Sequence, residues 1–344
     1  MTGVATPITG DVRVALVGCG RISRNHLEAF EKVEGLRLVA VADSDLARAQ
    51  AIGATQGVPA FGSLEEMLAA VPSDLVSVCT PSGLHPQHGI IAAKAGRHVL
   101  TEKPSASNAT EAAEVRDAAA AAGVTVLEGF HYLHHPVTRR LHALLESGDL
   151  GELTRVEVDT VMPAPADDDP RWSLDLGGGA LMDLGCYSLH AHRVLAPYAG
   201  GAPRLIAARA GERAGHPGVD EWLTADLEFP NGATGRAHCD MAGSDWRMTY
   251  RIVGTRGEAT AMNYVLPHLD DRVIVRSGAE ERVEELGKRS SYTYQLEAVA
   301  TCLRLGTPFP ITVDHAVDNM QLIDDCYVAV GFATRPRRRA ALPT

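Results

Sequence analysis

Short apolar runs alternate with amphipathic stretches over the first third of the chain, and this alternation constrains the fold more than any other feature. Strands that are apolar on both faces and are linked by helices are typical of a parallel sheet covered on both sides. The sequence therefore predicts a doubly wound α/β domain over residues 11–131. Its predicted strands are Val12–Val17, Leu36–Ala42, Leu75–Cys79, Val99–Glu102 and Val124–Leu127, with helices around Ile22–Val33, Asp45–Ile52, Leu64–Ala70, Pro86–Ala95 and Ala109–Ala122.

The pattern changes to a period of two after a predicted helix at Val137–Glu146. Alternation of apolar and polar residues is typical of an antiparallel sheet with one buried face. We expect an α+β domain with a large open, mainly antiparallel sheet over residues 132–311, and a C-terminal helix within 312–333 that packs back toward the first domain. The predicted strands are Leu153–Val161, Arg204–Arg209, Leu223–Phe229, Ala233–Cys239, Arg247–Val253 and Arg272–Val275, with helices after Gly177–Gly179, at Tyr292–Leu305 and at Asp314–Val330.

Length and charge exclude several classes of protein. The 344 residues suffice for two domains, and the net charge of −11 disfavours binding to nucleic acid or to anionic membranes. No leader pattern and no run of about 18 apolar residues occurs, so we expect a cytoplasmic protein. The six scattered cysteines lack metal-ligand spacing, so we expect neither a disulfide nor a bound metal. A basic run near the C-terminus (Arg335, Arg337, Arg338 and Arg339) is interpreted as a solvated chain end rather than a phosphate-binding tail.

The first predicted strand leads into a glycine turn, Gly18-Cys19-Gly20-Arg21-Ile22-Ser23, followed by a helix. In dinucleotide-binding domains the first glycine allows the tight turn, and the second lets the backbone approach a pyrophosphate held at the helix N-terminus. Ser23 replaces the usual third glycine. We expect Gly18, Gly20, Arg21 and Ile22 to contact a dinucleotide.

Asp43 ends the second predicted strand, where a carboxylate would accept hydrogen bonds from the adenosine ribose. Its charge would also repel a 2′-phosphate, so NAD is expected in preference to NADP. The alternative is an ordinary helix cap, a role that Ser44 or Asp45 could also fill.

Lys103 follows the fourth predicted strand, Val99–Glu102, in the sequence Glu102-Lys103-Pro104. Ligands of doubly wound sheets bind beyond the carboxyl ends of the strands, so this lysine is expected to point into the cofactor crevice. Surface lysines at strand ends are also common, and position alone does not distinguish the two interpretations.

A second motif, Gly177-Gly178-Gly179-Ala180-Leu181-Met182-Asp183-Leu184-Gly185-Cys186-Tyr187, lies in the C-terminal half. Asp183, Tyr187 and His190 are spaced by four and three residues, which places them on one face of a helix. Three polar groups on one face indicate a cleft. A capping aspartate and a buried, hydrogen-bonded tyrosine are the alternative.

Together these motifs resemble the Gfo/Idh/MocA family of pyridine-nucleotide oxidoreductases over nearly the whole chain, and specifically its tyrosine-containing branch. The resemblance implies a Rossmann domain, an open-sheet domain that forms a homodimer or homotetramer, and a sugar-like carbinol or ketone as substrate. It also implies that Thr80, Pro81, Ser82, His85 and Glu102 line the cofactor, although His85 could instead be a core or capping histidine. A non-catalytic dinucleotide-binding regulator and a dihydrodiol dehydrogenase are the alternatives.

The expected chemistry is hydride transfer coupled to movement of a hydroxyl proton. Tyr187 is assigned as the acid/base, although a phenol with an ordinary pKa of about 10 is a poor base at neutral pH. A cation within about 4–6 Å favours the phenolate, and Lys103 is assigned this role. Asp183 and His190 are expected to position substrate hydroxyls. Arg171, Trp172 and His135 are further candidates for substrate contact, with loop anchoring as the alternative for Trp172 and helix capping for His135.

Overall fold

The computed structural model describes residues 7–337, which divide by their contacts into two compact units. Unit 1 contains residues 7–130, 292–320 and 337, and unit 2 contains residues 131–291 and 321–336. Each unit is described by itself.

Unit 1 is built on a six-stranded parallel sheet in the order β3-β2-β1-β4-β5-β6, as the alternating pattern predicts. The apolar strand residues and the inward faces of the helices form one core, which includes Val17, Val78 and Val99. The elements are β1 Val12–Val17, α1 Ser23–Phe30, β2 Leu36–Ala42, α2 Leu46–Gln56, β3 Ala60–Phe61, α3 Leu64–Ala70, β4 Leu75–Val78, α4 His85–Lys94, β5 His98–Glu102, α5 Ala109–Ala122 and β6 Val126–Gly129.

Unit 2 contains an eight-stranded sheet in the order β14-β13-β12-β11-β7-β10-β9-β8, in which only the β7–β10 pair is parallel. Helices α6 and α7 pack on this sheet. Two strands were not predicted, because β12 is short and β14 has a single apolar residue, Val283, in an exposed edge strand. The elements are α6 Pro136–Glu146, β7 Leu153–Val161, α7 Cys186–Arg193, β8 Arg204–Glu212, β9 Asp220–Glu228, β10 Thr234–Asp240, β11 Arg247–Gly254, β12 Glu258–Ala261, β13 Arg272–Ser277 and β14 Glu280–Glu285.

Two C-terminal helices follow, α8 Ser291–Leu305 and α9 Val313–Ala329. Residues 292–311 were assigned to the second domain from their position in the chain, whereas their contacts group them with unit 1. The Ile8 amide donates to the Leu303 carbonyl at 2.9 Å, and Val313 packs against the core of unit 1. Within residues 7–337 no helix is both long and apolar enough to span a bilayer.

The face of the unit 2 sheet opposite α7 carries charged residues, as a period of two allows. Along β7 the side chains of Glu157 and Asp159 alternate with the buried residues Val156 and Val158. Glu157 and Asp159 pair with arginines on adjacent strands, Arg251 at 2.8 Å and Arg236 at 2.9 Å. The alternation in the sequence predicts which side chains face the core. It does not predict that the charged side chains of the other face form ion pairs with opposite charges on neighbouring strands.

Candidate functional site

The glycine turn between β1 and α1 has the conformation and the space that a dinucleotide phosphate requires. Gly18 has φ +94°, and a Cβ there would lie 2.6 Å from the backbone of Cys79 and Thr80 on the neighbouring strand end. A Cβ at Gly20 would have no neighbour within 4 Å, so this position is open to a ligand. Ser23 donates its hydroxyl to the Gly20 carbonyl at 2.7 Å, which closes the turn without a third glycine.

Asp43 holds the same turn from the end of β2. Its carboxylate accepts the Cys19 amide at 2.7 Å and the Asp45 amide at 2.8 Å, while Asp45 itself caps α2. The capping alternative for Asp43 is therefore only partly met, since the cap belongs to Asp45. A carboxylate has about four acceptor positions, so hydrogen bonding to a ribose remains open to Asp43. Arg48, which is half-exposed, lies 3.7 Å away.

Lys103 lies in a turn held by buried ionisable side chains. Glu102 accepts from His26 of α1 at 2.7 Å and from the Lys103 amide at 3.3 Å. Burial opposes the His26 cation, but the Cys79 thiol and the Glu102 carboxylate outweigh it and raise the pKa of His26. The sequence assigned Glu102 to the cofactor, and the structure adds a bond between Glu102 and the helix that follows the glycine turn. The Lys103 side chain is partly exposed.

His85 joins two segments of the predicted cofactor site. Its ring is buried, with Nδ1 2.7 Å from the Pro104 carbonyl and Nε2 2.7 Å from the Thr80 carbonyl. This is the core position that the sequence left open for His85. Pro81 and Ser82 lie in the turn between Thr80 and His85 and are more accessible than the His85 ring.

Tyr187 of unit 2 is hydrogen-bonded to a residue that the sequence analysis did not assign. The Tyr187 hydroxyl lies 2.9 Å from His131 Nε2, and His131 Nδ1 lies 2.8 Å from the Ser291 hydroxyl. All three side chains are buried. His131 directly follows β6, and its place beyond the carboxyl end of a parallel strand is a signal that could have identified it.

His190 pairs with a second tyrosine from the same segment. Its Nδ1 lies 2.7 Å from the Tyr132 hydroxyl, and the Tyr132 ring packs edge-on against Tyr187 at 5.8 Å between centroids. His190 is fully buried, which is unlike the cleft position predicted for it. Tyr187 and His190 both lie in the regular helix α7, and both are buried.

Asp183 is partly exposed and pairs with Arg171. Arg171 Nε lies 2.6 Å from the Asp183 carboxylate, and the arginine also contacts Asp169 at 3.2 Å. The structure thus brings together two residues that the sequence assigned separately to substrate contact. Trp172 instead anchors the loop, since it is buried and the Arg213 guanidinium lies 4.7 Å from the centre of its ring.

His135 caps a helix, as its alternative interpretation stated. Its Nδ1 accepts the Val137 amide at 3.2 Å, and its Nε2 lies 3.1 Å from the Arg289 carbonyl. Burial lowers the pKa of His135 to about 4, so the ring is neutral and one tautomer satisfies both bonds.

Arg335 corrects the interpretation of the basic run as a solvated chain end. Its side chain is fully buried, donates to the Gly178 carbonyl at 2.7 Å and to the Gly218 carbonyl at 2.8 Å, and pairs with Asp220. Asp220 also accepts the Leu181 amide at 2.6 Å, so this pair holds both ends of the glycine loop before Asp183. Arg337 is exposed, and Arg338 and Arg339 lie outside the described residues. A single buried arginine cannot be distinguished from its exposed neighbours by composition.

The residues around the glycine turn fit a dinucleotide, because the turn is open at Gly20 and offers a carboxylate at the end of the adjacent strand. All six cysteines are buried and none forms a disulfide. Within residues 7–337 no group of three or more histidine, cysteine or carboxylate side chains is arranged to hold a metal ion.

Comparison with known proteins agrees with this geometry. Residues 12–130 match the family model described as oxidoreductase family, NAD-binding Rossmann fold, and residues 138–260 match the GFO/IDH/MocA C-terminal domain. A D-xylose 1-dehydrogenase (NADP(+)) of Haloferax volcanii is 34% identical over 292 residues, covering 84% of this chain and 88% of the relative.

The names of two further proteins mention a nucleotide-linked sugar or an analogue of one. A dTDP-3,4-didehydro-2,6-dideoxy-alpha-D-glucose 3-reductase of Saccharopolyspora spinosa is 28% identical over 86% of this chain and 89% of the relative. The crystal structure of a 3-ketoreductase from Actinomadura kijaniata with NADP and TDP-benzene superposes with a TM-score of 0.86 at 23% identity, over 93% of this chain and 98% of that one. The latter likeness shows the shared fold.

Proposed function

Since the chain belongs to the GFO/IDH/MocA family of oxidoreductases and is an enzyme that acts on CH–OH groups, we propose that it transfers hydride between a nicotinamide dinucleotide and a carbon of a sugar, polyol or sugar derivative. The observation that carries this proposal is that the same chain has an open glycine turn in unit 1 and a buried Tyr187–His131 hydrogen bond in unit 2. A dinucleotide-binding regulator needs the first of these features but not the second.

Lys103 and Tyr187 are the proposed catalytic pair, one from each unit. Bound nicotinamide supplies the hydride acceptor or donor. Tyr187 takes the hydroxyl proton during oxidation and returns it during reduction, and the Lys103 ammonium stabilises the negative charge that develops on oxygen. The Arg171–Asp183 pair is the proposed contact for the remaining substrate hydroxyls, because it is partly exposed and offers both donors and acceptors.

NAD is the proposed dinucleotide, because the negative charge of Asp43 at the end of β2 would repel the 2′-phosphate of NADP. Two observations favour NADP instead: the xylose dehydrogenase relative is named for NADP, and Arg48 places a half-exposed cation 3.7 Å from Asp43. The ratio of kcat/KM for NAD to that for NADP decides between them. A ratio above one supports the proposal, and a ratio below about one tenth overturns it.

Self-assembly through the unit 2 sheet, as a homodimer or homotetramer, is proposed as well. The charged and paired outer face supports an interface with polar rather than apolar complementarity. Sedimentation that detects only monomer at micromolar concentration would overturn it.

The activity is tested by following reduced nicotinamide absorbance with D-xylose, D-glucose, myo-inositol and a trans-dihydrodiol. We expect oxidation of at least one sugar, and a fall in kcat of about 100-fold or more in Lys103→Met and Tyr187→Phe while dinucleotide binding is retained. Turnover within threefold of wild type in either variant contradicts the catalytic assignment. Tight dinucleotide binding without turnover of any compound favours the regulator, and turnover of the diol alone favours a dihydrodiol dehydrogenase.

A further inference from the structure

We propose that His131 accepts the proton of Tyr187 during substrate oxidation, so that Ser291, His131 and Tyr187 form a proton relay; this inference rests on the proposed function. All three residues belong to unit 2. No group in the sequence analysis supplied this proton acceptor, and a phenol without one is a weak base near neutral pH.

The three side chains have the geometry of an activated base. Tyr187 is the base, His131 is the second base that activates it, and Ser291 orients the His131 ring. His131 Nε2 lies 2.9 Å from the Tyr187 hydroxyl, and Nδ1 lies 2.8 Å from the Ser291 hydroxyl, so both ring nitrogens are within hydrogen-bonding distance. The rings of His131 and Tyr187 meet edge-on with 5.7 Å between centroids. The imidazole is only 1% exposed, which excludes bulk water from competing for either nitrogen.

The proton balance requires one tautomer. In neutral His131 the Nδ1–H donates to Ser291 and Nε2 accepts the Tyr187 hydroxyl hydrogen. During oxidation the substrate O–H bond breaks and its proton passes to the Tyr187 oxygen, the Tyr187 proton passes to His131 Nε2, and the hydride leaves the carbinol carbon for the nicotinamide ring. The products are a carbonyl compound, reduced dinucleotide and an imidazolium, whose proton is released to the buffer before the next turnover.

Neighbouring titratable groups do not provide the same path. Burial raises the pKa values of Tyr132 and Tyr264, whose rings pack together next to Tyr187, well above the ordinary value. Burial thus disfavours the phenolate form at both positions. His190 holds the Tyr132 hydroxyl rather than that of Tyr187, and burial lowers the pKa of His134 to about 4. The proposed relay is also distinct from the role of Lys103, which stabilises charge and does not accept the proton.

The decisive variant is His131→Gln, whose amide can hydrogen-bond to Tyr187 but cannot take up a proton. With D-xylose, or the best sugar of the panel, we expect kcat to fall about 100-fold at pH 7 and to return to within about threefold of wild type at pH 10, because hydroxide can then take the Tyr187 proton in place of the imidazole. An equal loss at both pH values indicates that His131 only positions Tyr187 and overturns the relay. Unchanged kcat at pH 7 also overturns it.

Tyr250→Phe is the matched control, because it removes one buried hydroxyl that donates to the Ala191 carbonyl of the same helix, α7, at 2.8 Å. We expect it to lower stability without altering the shape of the kcat–pH profile. Ser291→Ala keeps the imidazole but removes its orienting partner, and we expect a loss of about tenfold at pH 7. A Ser291→Ala enzyme with wild-type activity at pH 7 contradicts this part of the relay.

Nitrogen-15 NMR of the apoprotein gives a test that does not depend on turnover. The His131 signals are identified by their absence from His131→Gln, and the relay requires the Nδ1–H tautomer at pH 7. An Nε2–H tautomer overturns it, since His131 would then donate to Tyr187 and could not take its proton. If no sugar is oxidised but the Nδ1–H tautomer is present, the proposed function fails while the hydrogen-bonded relay stands; if sugars are oxidised and the tautomer is wrong, only the relay fails.

Discussion

The candidate residues of unit 1 and those of unit 2 are held in place by different kinds of interaction. In unit 1 the glycine turn and the Lys103 turn are fixed by buried carboxylates, with Asp43 accepting backbone amides and Glu102 bound to His26. In unit 2 the helix that carries Tyr187 is fixed by hydrogen bonds between neutral tyrosines and histidines, such as Tyr132–His190. The turns proposed to bind the dinucleotide are thus preorganised by ion pairs and amides, whereas the proposed acid/base, Tyr187, lies among neutral hydrogen-bonded side chains.

Unit 2 also contains a buried ion pair, Arg335–Asp220. This pair holds the glycine loop before Asp183. Arg335 and Asp220 have no exposed side-chain surface. A buried charge that loses its partner is strongly destabilising, whereas exposed pairs contribute little. The comparison therefore predicts unequal effects for substitutions that look alike in the sequence.

The largest effect is expected for Arg335→Met. It leaves the Asp220 carboxylate buried without its cation and removes two hydrogen bonds to loop carbonyls, so we expect the free energy of unfolding to fall by about 3–5 kcal/mol. Urea unfolding measures it. Arg337→Met is the control, since that side chain is 57% exposed, and we expect a change below about 1 kcal/mol. An equal fall in the free energy of unfolding in both variants would contradict the proposed difference between the buried and the exposed arginine.

His26→Gln is expected to change the pH dependence of stability. Because the pKa of His26 is raised in the folded state, its pair with Glu102 stabilises fully below the unfolded pKa of about 6.5, and this contribution is lost as the pH rises toward the folded pKa. The wild type should therefore lose up to about 1.4 kcal/mol per pH unit relative to the variant above pH 6.5. Urea titrations at pH 6.5, 7.5 and 8.5 measure the difference. Parallel slopes would show that His26 is not protonated in the folded protein.

Asp43→Asn is expected to have the smallest effect, on cofactor choice. Asparagine retains an acceptor for a backbone amide but removes the charge, so we expect the affinity for NADP relative to NAD to rise about tenfold. Isothermal titration of both dinucleotides measures it. Arg48→Ala in the same background should reverse part of the gain, because it removes the adjacent cation. An unchanged NADP-to-NAD ratio in Asp43→Asn would show that the carboxylate serves only to hold the turn.

Sequence reasoning located the parallel sheet, most of the second sheet and the motifs of the site, because each depends on local periodicity or on a turn that needs glycine. Asp43 and Glu102 were predicted as cofactor contacts, but their bonds to Cys19 and His26, which join residues far apart in the chain, were not. His131 was missed as a site residue for the same reason. The burial of His190 was missed because its partner, the Tyr132 hydroxyl, is 58 residues away in the chain.

The sequence by itself determined the order of strands and helices, since apolar periodicity and turn residues act over a few neighbouring positions. Only the tertiary structure decided that Arg335 is buried while Arg337 is exposed, that the outer sheet face is covered by ion pairs, and that Tyr187 has an imidazole partner. Each of these depends on which side chains meet across long stretches of chain. The free energy of burying a charge or of sharing a proton depends on the side chain that the group contacts. That side chain is distant in the sequence, so no local pattern reveals it.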